Sequence, residues 1–164
     1  MRAIIVRDGK LLLMRRDKFG DEYYTLLGGG IQAGETKEAA LRRELLEESG
    51  LILTDSRLVF IEKGYDGFGD QFIFLCRTED GEPRLAESSE EARDSSLGNV
   101  YTPVWITASD IAALPLRSAV LSQALARAFT SGFPQEPVIL DDRQGVIVST
   151  VQVGGRGDIH DSKT

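Results

Sequence analysis

The stretch GGGIQAGETKEAALRRELLEESGL, residues 28–51, decides the fold of this chain. Three consecutive glycines break regular structure and let the backbone turn sharply or approach another group closely. Thr36 is suited to N-cap a helix, the residues from 37 to 49 are rich in Ala, Leu, Glu and Arg, and Gly50 stands where a C-cap glycine belongs. The stretch therefore predicts a glycine loop that leads into one helix.

Three glutamates share one face of this predicted helix. Glu44 lies three residues before Glu47 and four before Glu48, which at about 100° per residue places all three within an arc of roughly 100°. Such a patch repels itself, so solvent, a basic partner or a cation must compensate it. Carboxylate oxygens are ligands that Mg²⁺ and Mn²⁺ prefer, and Arg43 is spaced to orient Glu47. From spacing alone, a solvated charged face and a partly shielded site explain the pattern equally well.

Short apolar runs and turns lie on both sides of this unit. Residues 3–6 and 11–14 predict a hairpin, because Asp8-Gly9 between them suits a two-residue turn. Further strands are predicted at residues 23–27, 58–61, 71–76 and 100–106, a second helix at 116–129, and a C-terminal hairpin at 138–140 and 146–153. This order predicts a mixed α/β (α+β) fold. We expect one domain over residues 1–135, with a hairpin and polar tail over 136–164 packed on it or on a dimer partner.

Composition excludes several functional classes. The 164 residues are 41% hydrophobic and 27% charged, as in a folded globular protein. The single cysteine, Cys76, and the single histidine, His160, argue against a disulfide framework and a multi-histidine metal site. Acidic residues outnumber basic ones 26 to 19, which argues against nucleic acid as the partner. Since no apolar run approaches the roughly 20 residues of a membrane span and no signal-peptide core is evident, we expect a cytoplasmic protein.

The central stretch resembles the Nudix box, G-x5-E-x7-R-E-U-x-E-E-x-G-U, in which U is a bulky aliphatic residue. Every fixed position matches: Gly29, Glu35, Arg43-Glu44-Leu45, Glu47-Glu48 and Gly50-Leu51. The resemblance implies an α/β/α sandwich with a mixed β-sheet. It also implies a hydrolase that cuts a diphosphate linked to another moiety, often a nucleoside. Leu27 and Gln32 depart from many relatives, which have proline and glutamate there, but both lie outside the fixed positions.

The resemblance also implies a metal site. Glu44, Glu47 and Glu48 would hold divalent cations, Mg²⁺ or alternatively Mn²⁺, and a backbone carbonyl of Gly28 or Gly29 would complete the ligand set. The glutamates would then act mostly through the metal, which lowers the pKa of bound water and stabilises charge on the leaving oxygen.

Supporting catalytic roles follow from the same resemblance. Glu35 and Arg43 would orient the acids of the loop and helix. The proton of the attacking water is expected to go to one of four carboxylates: Glu47 or Glu48 on the helix, or Glu90 or Glu91 in the long polar stretch over residues 78–99. Glu91 is also a candidate for a further metal ligand.

Residues outside the box are expected to bind the substrate. Arg15 and Arg16 follow the first hairpin and are candidates to grip phosphates, while Gly29 and Gly30 allow the substrate to approach the backbone. Three aromatic residues are candidates to stack on a base: Tyr23, Tyr24 and Phe68. Surface solubility explains the arginines, and packing explains the aromatic residues, at least as well.

Two other functions remain open at this point. One is a regulatory module that senses a nucleotide without cutting it, and the other is an RNA 5′-end pyrophosphohydrolase, which would need a basic groove. A small-molecule nucleotide is the expected partner. The alternation over residues 146–153 suits an edge strand, so a homodimer is also expected.

Overall fold

The computed structural model describes residues 1–64, 69–96, 98–141 and 143, and the backbone of residues 145–147. Phe68, His160 and most of the expected edge strand over residues 146–153 lie outside this part of the chain. Within it, the elements are β1 (Arg2–Arg7), β2 (Lys10–Lys18), β3 (Asp21–Thr25), α1 (Lys37–Ser49), β4 (Leu53–Glu62), β5 (Gln71–Thr78), α2 (Glu90–Asp94), β6 (Asn99–Thr107), a 3₁₀ turn (Ile111–Ala113), α3 (Ala119–Ser131), β7 (Val138–Asp141) and β8 (Gly145–Ile147). In the described part of the chain, no helix is both long and apolar enough to cross a membrane.

The strands form one mixed sheet. Their order is β3-β2-β1-β5-β4-β7-β8, and β6 pairs along β2. The β1–β5 and β4–β7 pairings are parallel, whereas the other pairings are antiparallel. Asp8 and Gly9 have φ angles of 50° and 71°, which matches the turn expected for the first hairpin.

Strand alternation divides the core into two layers. On β1, Ile4 packs in the cluster that contains α3, whereas Ala3 and Ile5 pack in the cluster that contains α1. Successive side chains of a strand point to opposite faces of a sheet, so one helix covers each face. The result is the predicted α/β/α sandwich with a mixed sheet.

Helix α1 forms over the residues that the sequence predicts. Thr36 Oγ1 accepts a hydrogen bond from the Ala39 N–H at 3.1 Å, and Gly50 has a φ of 67° in the left-handed region. Leu41 and Leu45 are fully buried against the sheet. The apolar side of α1 is therefore fixed by the core, which in turn fixes the direction of its acidic side.

Within the described residues, three predicted boundaries differ from the structure by three residues or more: the end of β2, the start of β4, which is Leu53 rather than residue 58, and the start of α3. Strand β2 continues to Lys18 and turns into β3 at Phe19 and Gly20, whose φ angles are 54° and 91°. Helix α3 begins at Ala119, three residues later than expected. The Tyr24 N–H donates to the Pro115 carbonyl at 3.1 Å, so the backbone before the helix is extended against β3. Periodicity did not reveal either pairing, because both depend on a neighbouring strand.

The long polar stretch after β5 contains a short helix. The Arg84 and Ala86 N–H groups each donate at 2.9 Å to a carbonyl in the last turn of α1. These carbonyls lack partners within the helix, so they are natural acceptors for another segment. Ser89, which is 1% exposed, then caps α2 by accepting from the Ala92 N–H at 3.0 Å. This attachment brings Glu91 toward the acidic side of α1.

Candidate active site

The glycine loop lies directly on the acidic side of α1. The Gly28 N–H donates to Glu48 Oε2. A Cβ placed on Gly29 would lie 2.7 Å from the carboxyl carbon of Glu44, far inside van der Waals contact. Only glycine at residue 29 lets the backbone approach Glu44 this closely without moving that side chain.

Arg43 links the acids of the loop and the helix. Its Nε donates to Glu35 Oε1 at 2.8 Å, and its Nη1 donates to Glu44 Oε1 at 2.8 Å and to Glu47 Oε2 at 3.2 Å. The Nη2 group donates to the Gly30 carbonyl at 3.1 Å. Hydrogen bonding to Glu35 raises the pKa of Arg43, so the guanidinium stays protonated. These contacts are those of the orienting partner that the sequence predicts.

Two of the acids are removed from water. Glu44 is 9% exposed and Glu48 is 5% exposed. Burial raises the pKa of Glu44, although Arg43 opposes the change. Burial raises the pKa of Glu48 to about 8; the Gly28 N–H opposes this shift and the negative charge of Glu91 adds to it. The site thus concentrates carboxylates where their charges are poorly compensated.

The donor chemistry suits a hard divalent cation. The carboxylates of Glu44, Glu47 and Glu48 lie on α1, and those of Glu90 and Glu91 lie beside them. Across the described residues, no three acidic, cysteine or histidine side chains are already arranged around one metal position. Several of their oxygens are instead bonded to Arg43 or to the Gly28 N–H. The buried, mutually repelling acids and the oxygen-only ligand set fit Mg²⁺ or Mn²⁺ in kind.

The carbonyls of the glycine loop face cations of the chain itself. The Gly28 carbonyl accepts from Arg2 Nη1, and the Gly29 carbonyl accepts from the Met1 ammonium at 2.7 Å. The resemblance assigns one of these carbonyls to the metal, but in the structure both have protein donors. Arg2 was not identified in the sequence, because no motif includes it. It reaches the loop since the Ala3 N–H donates to the Leu27 carbonyl at 2.8 Å.

A cleft of about 380 Å³ opens beside the acids. Its polar and aromatic lining includes Arg2, Arg16, Tyr23, Glu48, Glu91, Tyr101 and Arg117. Gly28 and Gly29 also line it, whereas Gly30 lines a neighbouring cavity of about 240 Å³ together with Arg43, Glu44, Glu47 and Glu90. Glu91 lines both spaces, so the acidic side of α1 lies between them.

The structure separates the two candidate arginines of β2. Arg16 lines the cleft, whereas Arg15 points to the other face of the sheet and bonds to Glu22 Oε2 through Nε at 2.7 Å. Adjacent residues of a strand face opposite ways, so only one of the two can enter the cleft. Arg15 therefore does not reach the cleft where it was expected to grip phosphate, and of the two neighbouring arginines only Arg16 lines it.

The same alternation corrects the aromatic candidate. Tyr24 is 7% exposed, packs in the core with α3 and donates from its hydroxyl to Glu22 Oε1 at 3.0 Å. Its neighbour Tyr23 lines the cleft instead, together with Tyr101 from β6. Tyr101 and Arg117 were missed in the sequence, because only the pairing of β6 and the segment before α3 bring them to the cleft. The position of Arg16 on β2 opposite Tyr101 on β6 cannot be predicted from the sequence of either strand alone.

A three-layer fold with a glycine loop on an acidic helix is the architecture that the Nudix resemblance implies. Residues 2–125 match the family model described as the NUDIX domain, and the chain belongs to this family. The solved structure of an ADP-ribose pyrophosphatase from Streptococcus suis has a TM-score of 0.58 to this chain at 20% identity. The match covers 86% of this chain and 96% of that one, which confirms the predicted fold.

Two relatives are similar in sequence. An oxidized purine nucleoside triphosphate hydrolase from Danio rerio is 40% identical over 93 residues, which cover 54% of this chain and 58% of the relative. An ADP-ribose pyrophosphatase from Methanocaldococcus jannaschii is 31% identical over 103 residues, which cover 60% of this chain and 61% of the relative. The chain thus matches about three-fifths of the length of these relatives.

Proposed function

We propose that this chain hydrolyses a diphosphate linkage in a nucleoside di- or triphosphate, or in a nucleoside diphosphate derivative, with Mg²⁺ as the metal. The observation that carries the proposal is the position of the buried acid Glu48 in a cleft that Arg16 and Arg117 also line, with the buried acid Glu44 in the neighbouring cavity. Acids that gather a cation lie next to bases that bind phosphate. A polyphosphate is the ligand class that uses both.

The named relatives support the reaction rather than one substrate. Their names specify an oxidized purine nucleoside triphosphate in one case and ADP-ribose in the other. These compounds share a phosphoanhydride attached to a nucleoside. We therefore extend to this chain the cleavage of that bond and leave the substituent to experiment.

Glu44, Glu47, Glu48 and Glu91 are the residues that we propose to hold the metal. When bound, Mg²⁺ would lower the pKa of water and stabilise negative charge on phosphate oxygens. Arg43 keeps Glu44 and Glu47 in place, and Arg16 binds phosphate from the opposite wall. Glu48, with a pKa of about 8 before a cation arrives, is our candidate to accept the proton of the attacking water. Glu47, Glu90 and Glu91 are the alternatives.

The remaining expectations concern the whole chain. Because β7 pairs with β4 for three residues, we propose that the segment after residue 135 packs on the same domain. Among the described strands, β8 lies at the end of the sheet, and this position supports a homodimer through that edge, which light scattering would test. The cytoplasmic location stays a prediction of the sequence.

A substrate panel tests the proposed function. The purified chain is incubated with nucleoside triphosphates, nucleotide-sugars, ADP-ribose and dinucleoside polyphosphates, and nucleotide products are separated by chromatography. We expect cleavage of at least one class with Mg²⁺ and none with a chelator. Glu48→Gln should lose at least about 100-fold in kcat, in the range reported when a catalytic electrostatic group is removed. The control Glu38→Gln, on the exposed side of α1, should keep wild-type activity.

Other outcomes of the panel separate the alternatives. Binding of a nucleotide without cleavage would indicate that the chain is a sensing module rather than an enzyme. Cleavage confined to 5′-triphosphorylated RNA would favour the RNA 5′-end function. Full turnover by Glu48→Gln would refute the assignment of the acids.

A further inference from the structure

We infer that Arg2 is a built-in cation of the glycine loop, which holds the Gly28 carbonyl and competes with a divalent cation for that oxygen. The inference rests on the proposed metal site and assigns a positioning role to a residue outside the Nudix box. It concerns how readily the site accepts a metal, rather than which substrate is cut.

The contacts of Arg2 converge on the loop. Its Nη1 donates to the Gly28 carbonyl and, at 3.3 Å, to the Leu26 carbonyl. Gly28 also donates its N–H to Glu48. Gly28 is therefore held at its backbone nitrogen by Glu48 of α1 and at its carbonyl oxygen by Arg2 of β1.

Gln71 holds the guanidinium in this orientation. Arg2 Nε donates to Gln71 Oε1 at 2.9 Å, and Gln71 begins the strand that pairs in parallel with β1. The amide is neutral, so this contact directs Arg2 without cancelling its charge. Among the described residues, no carboxylate forms an ion pair with Arg2. Its positive charge remains available to the loop carbonyls and to Glu48.

A metal at the loop would meet this charge directly. Of the two loop carbonyls that the resemblance offers to the metal, the Gly28 carbonyl already accepts a hydrogen bond from the Arg2 guanidinium. Two cations at one carbonyl repel each other, so metal entry requires Arg2 to move away or to share the oxygen. We therefore expect Arg2 to weaken metal binding in the absence of substrate.

Titration with Mn²⁺ alone tests this competition. The full chain and three variants are titrated by calorimetry, with free Mn²⁺ followed in parallel by electron paramagnetic resonance. Arg2→Met removes the charge, and Gln71→Met keeps the charge but removes its orienting contact. Arg7→Met is the matched control, since Arg7 lies at the other end of β1 and bonds to the Gly81 carbonyl at 2.7 Å.

We expect Arg2→Met to lower the Kd for Mn²⁺ by about tenfold, the scale of a nearby unit charge at a partly shielded site. Gln71→Met should lower the Kd by a smaller factor, and Arg7→Met should leave it unchanged. If Arg2→Met fails to fold, as judged by thermal unfolding, Gln71→Met decides: tighter binding supports the inference and unchanged binding overturns it.

Two results contradict the inference in distinguishable ways. Wild-type binding of Mn²⁺ with an unchanged or higher Kd in Arg2→Met would overturn the role of Arg2 and leave the proposed metal site intact. Absence of Mn²⁺ binding in the wild type and in all variants would overturn the metal site and the inference together.

Discussion

The guanidinium carbon of Arg16 lies 4.4 Å from the centre of the Tyr101 ring, directly across the pairing of β2 with β6. Tyr23 faces Arg16 from β3, with its ring centre 5.8 Å away. A guanidinium between two aromatic rings is held in a narrow range of orientations. Arg16 Nε is also buried with no hydrogen-bond partner among the described residues.

Replacing each of the two neighbouring arginines of β2 by methionine, one at a time, tests this arrangement. We expect Arg16→Met to lower kcat/KM by about 10- to 100-fold, because a charge-assisted contact to phosphate contributes about 1.5–3 kcal/mol. Arg15→Met, on the opposite face, should stay close to the wild type. Steady-state kinetics with the preferred substrate provides the measurement. Equal losses in the two variants would contradict the assignment of the cleft to one face of β2.

Glycine substitutions test how closely the loop approaches α1. We expect Gly29→Ala to displace the Glu44 carboxylate and to lower both Mn²⁺ affinity and kcat by at least about tenfold, since an error of about 1 Å in positioning is costly. Gly30→Ala is the control, because a Cβ there has no heavy atom within 4 Å. Calorimetry and kinetics measure the two quantities. If Gly30→Ala were the more damaging change, the contact of Gly29 with Glu44 would not be what matters.

The pH dependence of stability tests the burial of Glu48. Its pKa is about 8 in the folded chain, against an ordinary value of 4.5. Between these two pH values, Glu48 therefore keeps its proton in the folded state and loses it in the unfolded state. The contribution of Glu48 to the free energy of unfolding is full below about pH 4.5 and declines as the pH rises through about 8. With a chelator present, the midpoint temperature of thermal unfolding should decrease as the pH is raised from about 6 to about 8.

Glu48→Gln is the comparison for this measurement. Glutamine does not ionise, so we expect the decline with pH to be shallower in the variant. Glu44 keeps part of the decline, because burial raises its pKa as well. Identical slopes in the wild type and in Glu48→Gln would show that Glu48 ionises normally.

A lysine in place of Arg43 tests the need for its planar fork. Arg43→Lys keeps the charge but cannot bond at once to Glu35, Glu44 and the Gly30 carbonyl. We expect a lower midpoint of thermal unfolding and a loss of at least about tenfold in kcat. Arg42→Lys, at an exposed pair with Glu38, should change kcat little. A wild-type kcat in Arg43→Lys would limit Arg43 to a role as a simple positive charge.

Local signals predicted the centre of the molecule well. The N-cap at Thr36, the bounds of α1 and the C-cap at Gly50 depend on residues within one or two helical turns, which a sequence displays directly. The two-residue turn at Asp8 and Gly9 is equally local. The acids of α1 share a face because of helical geometry, and the Nudix resemblance indicated that this face is a site.

Contacts between distant strands limited the rest. Arg15 and Arg16 looked equivalent in sequence, and their facing was fixed only by the register of β2 against β3 and β6. Tyr23 and Tyr24 were both stacking candidates for the same reason, and the register of β3 brings only Tyr23 to the cleft. Arg2 reached the site through the pairing of the first strand with the glycine loop, which leaves no local pattern.

Arg84 and Ala86 attach the segment that carries Glu91 to the end of α1 through backbone N–H groups, and Leu85 between them packs against the core cluster that contains α1. Backbone N–H bonds accept any residue except proline, so the exposed side chains of that segment, unlike Leu85 and the buried cap Ser89, are free to vary without loosening the core. Natural or laboratory selection can therefore alter one wall of the cleft by changing the exposed residues of this segment. The acids of α1, tied to the core through Leu41 and Leu45, would stay where they are.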